Sequence, residues 1–343
     1  MMTDRDEEFM RAALAEAVKG LGQTSPNPVV GAVLVVDHRI VAKGHHREAG
    51  SAHGEINCLR DFGAPIPARA TLYVTLEPCS TAGRTPPCTE AIIKAGLKNI
   101  VIGATDRNPR HSGRGIVDLR NAGVRVRDGI LGEDCTRLNE AFNKWIVTGQ
   151  PFVIAKCGMS LDGRLTRLPG ESRWITGPEA RRDAHQLRAR VDAVLVGAET
   201  VRSDNPRLTL RGVRRGRQPW RVVLTRSGRL PRHGHLLSDK FSDRTLIYKR
   251  KSLQSVLKDL GKRDITSVLI EGGGEVLGEA LDKQLIDKVQ IYLGPMLTGG
   301  PVVAFPGEGA GKTVDALRLR EVEYQQLGQT VSISGYPSVQ SRE

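Results

Sequence analysis

One imidazole and two thiols stand at spacings that suit a metal. His53 opens His53-Gly54-Glu55, Cys79 closes Glu77-Pro78-Cys79, and Cys88 follows after Ser80 to Pro87. One imidazole and two thiolates make a three-ligand zinc set that leaves the fourth tetrahedral position for water. Zinc lowers the pKa of such a water to about 7, so hydroxide forms at neutral pH. Glu55 lies near enough to His53 to face that water without binding the metal. It can take the water's proton and return it to a ring nitrogen and to a departing amine.

The pattern His-x-Glu, Pro-Cys, Cys is that of nucleobase deaminases, which more often carry the two cysteines as Cys-x-x-Cys. Here the loop between them is enlarged. A structural zinc is the plainer reading, but such sites close with four protein ligands. Cys58, one turn beyond His53, suits a core-facing helical position better, and Cys135 and Cys157 read as interior residues. Asn27, in Ser25-Pro26-Asn27-Pro28, offers an amide to a pyrimidine edge or serves as a turn residue between two prolines. His46 is a candidate for the same pocket, and Arg84 in the inter-cysteine loop for a phosphate or sugar.

The elements that must position these groups follow from hydrophobic period. Phe9, Ala13, Leu14, Ala17 and Val18 fall at helical spacing. Val29 to Val36 and Arg39 to Lys43 read as strands around Asp37-His38. A helix from His53 ends by Gly63, Thr71 to Leu76 is a strand, and Pro86-Pro87 opens a helix towards Gly96. Further strands at Asn99 to Gly103 and Val124 to Val126 flank a helix at Gly115 to Asn121. This succession predicts a largely parallel sheet with helices on both faces. A helix over Leu138 to Val147 is broken by Thr148-Gly149-Gln150-Pro151, where the boundary between two domains, 1–150 and 151–343, is expected. The second part repeats the alternation. Strands are predicted at Phe152 to Lys156, Ala193 to Val196, Arg221 to Leu224, Thr245 to Tyr248, Ser267 to Ile270 and Lys288 to Tyr292. Helices are predicted at Pro178 to Arg190, Leu253 to Leu260 and Glu275 to Leu281.

Composition bounds the function classes. The chain has 343 residues, 39% hydrophobic and 26% charged, which suits two globular domains rather than disorder. No apolar run approaches the roughly 18 residues of a membrane helix. The acidic start, Met1 to Glu8, argues against a signal peptide, and five cysteines argue against a disulfide framework, so the cytoplasm is expected. The net charge of +13 is uneven: residues 1–150 hold 19 Lys+Arg against 17 Asp+Glu, and residues 151–343 hold 32 against 21. Much of the excess is a stripe, Arg211, Arg214, Arg215, Arg217, Arg221, Arg226, Arg229 and Arg232. With only Trp220 inside it, the stripe is a poor stacking platform for single strands. It reads as a solvated loop with a few arginines for phosphorylated small molecules.

The N-terminal half resembles the cytidine-deaminase superfamily, and Pro78-Cys79-Ser80-Thr81-Ala82-Gly83-Arg84-Thr85-Pro86-Pro87-Cys88 is similar to its riboflavin-biosynthesis branch. The second half carries the other signatures of that bifunctional deaminase/reductase family: Lys156 to Arg164, Ser172 to Gly177, Thr200 to Pro206, and Glu271-Gly272-Gly273-Gly274. The resemblance covers nearly the whole chain in order. Two residues depart from the family: Thr81 stands where histidine is common, and Gly54 where alanine is common. Gly54 is expected to loosen the start of its helix.

What the resemblance implies is an α/β protein of two domains: a cytidine-deaminase-like α/β/α sandwich and a dihydrofolate-reductase-like α/β domain. The first would use Zn2+ to deaminate 2,5-diamino-6-(5-phosphoribosylamino)pyrimidin-4(3H)-one. The second would use NADPH to reduce the ribosyl chain to ribityl. By resemblance Gly158, Trp174, Thr176, Thr200, Asp204 and the segment Gly273, Gly274, Glu275, Val276, Leu277, Gly278 and Glu279 contact NADPH. Ser172, Arg188, Leu208, Arg211 and Glu271 fall where the family holds its substrate. Lys156 and Asp204 are candidates for substrate positioning or proton handling. The residues permit a nucleotide independently, because glycines before a helix let backbone N–H groups approach a pyrophosphate. Thr200 and Asp204 are expected on a loop after a strand. The partners implied are a small-molecule substrate and a second copy of the chain in a homo-oligomer, without nucleic acid or membrane. The rivals are a tRNA nucleobase deaminase with an accessory basic domain, a zinc-stabilised binding protein, and a chain with one active half.

Overall fold

Short apolar runs, each closed by glycine, proline or a polar turn, fold here into two separate sheets. In this computed structural model the described residues are 2–81, 86–165, 174–213 and 217–338. The chain divides into two units, Met1–Gly149 and Gln150–Glu343.

The first unit runs α1 (Met2–Val18), β1 (Gly31–Val36), β2 (Arg39–His45), α2 (Gly54–Phe62), β3 (Thr71–Leu76), α3 (Cys88–Lys94), β4 (Asn99–Ala104), α4 (Arg114–Asn121), β5 (Arg125–Asp128), α5 (Gly132–Leu138) and α6 (Glu140–Thr148). Its sheet has the order β2-β1-β3-β4-β5. The expected largely parallel sheet is mixed instead: β1 is antiparallel to both neighbours, and only β3–β4 and β4–β5 are parallel. The reason is local. Asp37 and His38 both take positive φ, 48° and 61°, the geometry of a two-residue hairpin that sends β2 straight back along β1. Met10 and Ala13 of α1 pack with Val33, Leu34, Leu72, Val74 and Ile102 in a core that also takes Cys58 and Cys135. The helix expected over Leu138 to Val147 is α6, and a further helix, α5, unexpected, precedes it; the two are separated by Asn139. Its side chain accepts from the Val29 N–H at 2.8 Å and donates to the Val29 carbonyl at 2.9 Å.

The second unit runs β6 (Phe152–Ser160), α7 (Pro178–Arg188), β7 (Ala193–Gly197), α8 (Ala198–Asp204), β8 (Trp220–Thr225), α9 (His235–Ser238), β9 (Thr245–Lys249), α10 (Leu253–Gly261), β10 (Ser267–Ile270), α11 (Gly274–Asp282), β11 (Lys288–Gly294), β12 (Arg318–Leu327) and β13 (Thr330–Ser338). The sheet order is β12-β13-β11-β6-β10-β7-β8-β9. Pairing is parallel from β11 to β9, and antiparallel where β13 meets β11 and β12. The terminal hairpin is absent from the expectations because β12 is an edge strand carrying Arg318, Arg320, Glu321 and Glu323, with no apolar alternation to betray it. Among the described residues, no helix is long and apolar enough to cross a membrane.

Candidate functional site

In the first unit the side chains that could hold a metal arrive from three elements. His53 is the residue before α2, with extended backbone (φ −71°, ψ 169°). Cys79 lies just past the end of β3, and Cys88 is the first residue of α3. Their ligand atoms all lie within 4.8 Å of one another. The imidazole presents Nδ1, 3.6 Å from the Cys79 sulfur and 3.3 Å from that of Cys88. The Cys88 N–H, at the positive end of α3, donates to the Cys79 sulfur at 3.3 Å.

The electrostatics fit a bound cation. The hydrogen bond from Cys88 holds the Cys79 thiol down to about 4. The same hydrogen bond, together with burial, pushes the Cys88 thiol up. The thiolate is the metal-binding form of cysteine, and metal binding displaces the proton a thiol carries. Glu55 on α2 is 2% exposed. Burial raises its carboxyl to about 7, and its Oε2 is a buried oxygen without a hydrogen-bond partner. Three soft and borderline donors with an orphaned carboxylate oxygen beside them fit zinc with one position left for water. Cys58, Cys135 and Cys157 are buried and unpaired in the interior, as expected, and none belongs to the metal cluster.

Asn27 joins this site through His46. The His46 ring is 1% exposed, and burial lowers its pKa. Its Nδ1 lies 3.1 Å from the Ala52 carbonyl, which makes Nδ1 the protonated nitrogen. Its Nε2 is therefore an acceptor for the Asn27 side-chain N–H at 3.3 Å. The Asn27 amide is thereby oriented, with its carbonyl oxygen left for another partner. The His46 and His53 rings meet edge to face at 5.0 Å.

Two supports escaped sequence reasoning. Glu77 is 4% exposed; its oxygens accept from the N–H groups of Asp106 at 3.1 Å, Gly113 at 2.9 Å, Gly115 at 2.9 Å and Ile116 at 3.4 Å. A carboxylate two residues before Cys79 thus anchors the metal loop to the N-terminus of α4. Asn139 anchors the other wall through Val29. The only sequence signal for Glu77 is an acidic residue closing an otherwise apolar strand. At Gly54 a Cβ would stand 2.6 Å from the Val30 carbonyl, so glycine permits the close packing there. Thr81 is exposed, its hydroxyl 3.3 Å from the His111 ring. Arg84 lies outside the described residues.

In the second unit, Gly272 and Gly273 take φ of 131° and 80° before α11. The Gly273 carbonyl accepts from Val276 and Leu277, which leaves the N–H groups of Gly273, Gly274 and Glu275 for an anion. An added Cβ on Gly273 would lie 3.3 Å from the Thr200 hydroxyl and 3.6 Å from the Gly197 nitrogen. The starts of α8 and α11 therefore adjoin, as a pyrophosphate of NADPH would require. Thr200 and Asp204 are not on a loop but on α8, which Gly197 precedes; Asp204 ends it exposed. Val276 and Leu277 point into the core. A Cβ on Gly278 would sit 1.5 Å from the Pro306 carbonyl, so this glycine serves close packing, and Glu279 accepts from the Leu253 N–H. Gly158 of β6 packs on the Thr176 methyl, while Trp174 is 56% exposed with the Arg181 guanidinium 4.5 Å above its ring.

Of the residues assigned to substrate, Arg188 and Glu271 form a charged pair. Arg188 Nε and Nη2 donate to the two oxygens of Glu271 at 2.9 and 2.7 Å, and Nη1 donates to the Thr209 carbonyl at 2.9 Å. Although burial pushes the Glu271 carboxyl up, Arg188 and Lys156 hold it below the ordinary range. Leu208 is buried at φ 51° and Arg211 is exposed; Ser172 lies outside the described residues. The arginine stripe is not uniformly solvated. Arg221 is 1% exposed and donates to Thr245, to the carbonyls of Arg207 and Leu236, and to both oxygens of Asp239.

Known proteins match both halves of the chain. Residues 3–104 match the cytidine and deoxycytidylate deaminase zinc-binding region, and residues 151–333 match the RibD C-terminal domain. Riboflavin biosynthesis protein RibD of Synechocystis is 40% identical, with 96% of each chain covered. That of Escherichia coli is 36% identical over 96% of this chain and 98% of its own. The structure of Acinetobacter baumannii RibD superposes with a TM-score of 0.91 at 36% identity, covering 98% of this chain and 100% of that one. The Thermotoga maritima diaminohydroxyphosphoribosylaminopyrimidine deaminase/5-amino-6-(5-phosphoribosylamino)uracil reductase gives 0.87 at 35% identity, over 98% and 100%. A zinc-binding deaminase region followed by a reductase domain, matched along nearly its whole length, makes this chain a member of the RibD family of riboflavin biosynthesis proteins.

Proposed function

We propose that the chain deaminates 2,5-diamino-6-(5-phosphoribosylamino)pyrimidin-4(3H)-one and then reduces the ribosyl chain of the product to ribityl. Residues 1–150 act as the zinc-dependent deaminase and residues 151–343 as the NADPH-dependent reductase. The observation that carries the reading is the meeting of His53 Nδ1 and the Cys79 and Cys88 sulfurs within 4.8 Å, beside the unpartnered Glu55 oxygen.

When bound, zinc supplies Lewis acidity that makes water a nucleophile at neutral pH. Glu55 would take one proton from the attacking water and give it to the ring nitrogen, then take the second from the added hydroxyl and give it to the amine, which leaves as ammonia when the carbonyl forms; this two-way role suits a carboxyl raised by burial to about 7. Asn27, its amide turned by His46, offers a carbonyl oxygen to an N–H on the pyrimidine edge. In the reductase, NADPH supplies hydride to C1 of the opened sugar. The N–H groups before α11 and the Thr200 hydroxyl would hold its phosphates, Gly158 and Thr176 would border its nicotinamide, and Lys156 would handle a proton or orient the substrate. The Arg188–Glu271 pair fixes the wall on which the pyrimidine lies.

A nucleic-acid substrate is disfavoured by where the charge sits. The excess lies in the second unit, and Arg221 is spent internally. The five unpaired cysteines suit a reducing cytoplasm. Replacing Glu55 by Gln tests the reading: ammonia release is expected to fall by about 10²–10⁴, while NADPH oxidation on pre-deaminated substrate continues. Loss of both activities would overturn the assignment of two separate sites.

A further inference from the structure

His185 is a titratable group that none of the roles above uses. It lies on α7, one turn before Arg188, and its Nδ1 is buried with no hydrogen-bond partner. The helix around it is pinned across the sheet. Asp183 accepts from the Tyr292 hydroxyl of β11 at 2.6 Å, and Arg188 clasps Glu271 at the end of β10. Between those strands lies β6, whose Ala155 pairs with Ile270 and whose Gly158 pairs with Tyr292. Lys156, the next residue along β6, reaches within 5.7 Å of the Tyr292 ring. The charged groups facing the imidazole come from four segments: Arg188 on α7, Arg211 after α8, Glu271 after β10, and Lys156 on β6.

An imidazole inside such a set has a defined chemistry. Burial, then Arg188 and Arg211, lower its pKa to about 4. It is therefore neutral at working pH, with one nitrogen donating and the other accepting. Arg188 is committed to Glu271 and Thr209, so it does not satisfy Nδ1. A buried polar atom left unpaired costs stability unless a ligand completes it.

Resting on the reductase reading above, we propose that His185 Nδ1 hydrogen-bonds the pyrimidine substrate of the reductase, making His185 a substrate-binding residue beside Lys156 and the Arg188–Glu271 pair. The ligand is the uracil or sugar-chain polar edge, not the nucleotide, whose phosphates belong at the starts of α8 and α11. Asparagine places an amide atom near Nδ1, so His185→Asn retains the contact that His185→Ala deletes.

The test measures steady-state NADPH oxidation on pre-deaminated substrate by the full-length zinc-loaded enzyme, with each variant's denaturant-unfolding curve as the check on folding of the second unit. His185→Ala is expected to raise the KM for the pyrimidine about tenfold, the factor corresponding to one net hydrogen bond. The KM for NADPH and the rate of ammonia release stay unchanged, and His185→Asn recovers much of the loss. An unchanged pyrimidine KM, a rise in the NADPH KM instead, or an equal loss of folding in both variants would overturn the assignment. If the unaltered enzyme fails to oxidise NADPH with this substrate, the reductase reading itself falls, a result separable from any variant's behaviour.

Discussion

His185 also contributes to how the second unit responds to acid. The unfolded imidazole titrates near 6.5, and burial with Arg188 and Arg211 brings the folded one to about 4. Between those values the unfolded chain binds the proton and the native chain resists it, so stability rises with pH. Its full contribution is present above 6.5 and is withdrawn as the pH falls towards 4. Denaturant unfolding followed across this range is expected to show a slope in the unaltered chain that flattens in His185→Asn; equal slopes would remove the imidazole as the cause. At this scale the sequence was most legible where chemistry needs rare residue types. His53, Glu55, Cys79 and Cys88 announce themselves by type and spacing. His185 and Glu77 do not, because a lone histidine or acid acquires meaning only from partners distant in the chain.

Glu77 shows what a single carboxylate does for an element. Four backbone N–H groups from the loop 106–113 and the first turn of α4 depend on it. Glu77→Ala is expected to destabilise the first unit by upwards of about 3 kcal/mol, since four N–H groups lose their acceptor and even one buried donor left unpaired costs ~1–3 kcal/mol. The same change should loosen Cys79, so zinc content after dialysis should fall along with the unfolding midpoint. Retention of both would mean that α4 finds other acceptors. Helices and central strands were readable because their apolar periods are strong. The hairpin of β12 and β13 was not, since an edge strand has no buried face to impose a pattern. Nor was the break at Asn139, which answers to Val29 more than a hundred residues earlier. The mixed pairing of the first sheet hung on two residues, Asp37 and His38, whose positive φ no hydrophobic count records.

Across the whole molecule the two chemistries draw on different cores and different cofactors, so they should fail independently. Removing zinc with a chelator is expected to abolish ammonia release and leave NADPH oxidation on pre-deaminated substrate intact. Simultaneous loss would indicate that the metal sustains both units. The alternation of strands and helices and the break near residue 150 made two units legible in advance. The basic stripe was less transparent: a run of arginines in sequence separates in space, with Arg221 sealed inside and Arg226 91% exposed. Charge counted along a chain therefore overstates charge presented to a partner.

The Asn139 clasp on Val29 bears on any attempt to divide this enzyme. A fragment ending before that asparagine would keep His53, Cys79, Cys88 and Glu55, yet lose the strut behind the loop that carries Asn27. Such a fragment should still capture zinc while gripping its pyrimidine poorly. A minimal deaminase must therefore be cut downstream of the stretch that motif matching alone would choose.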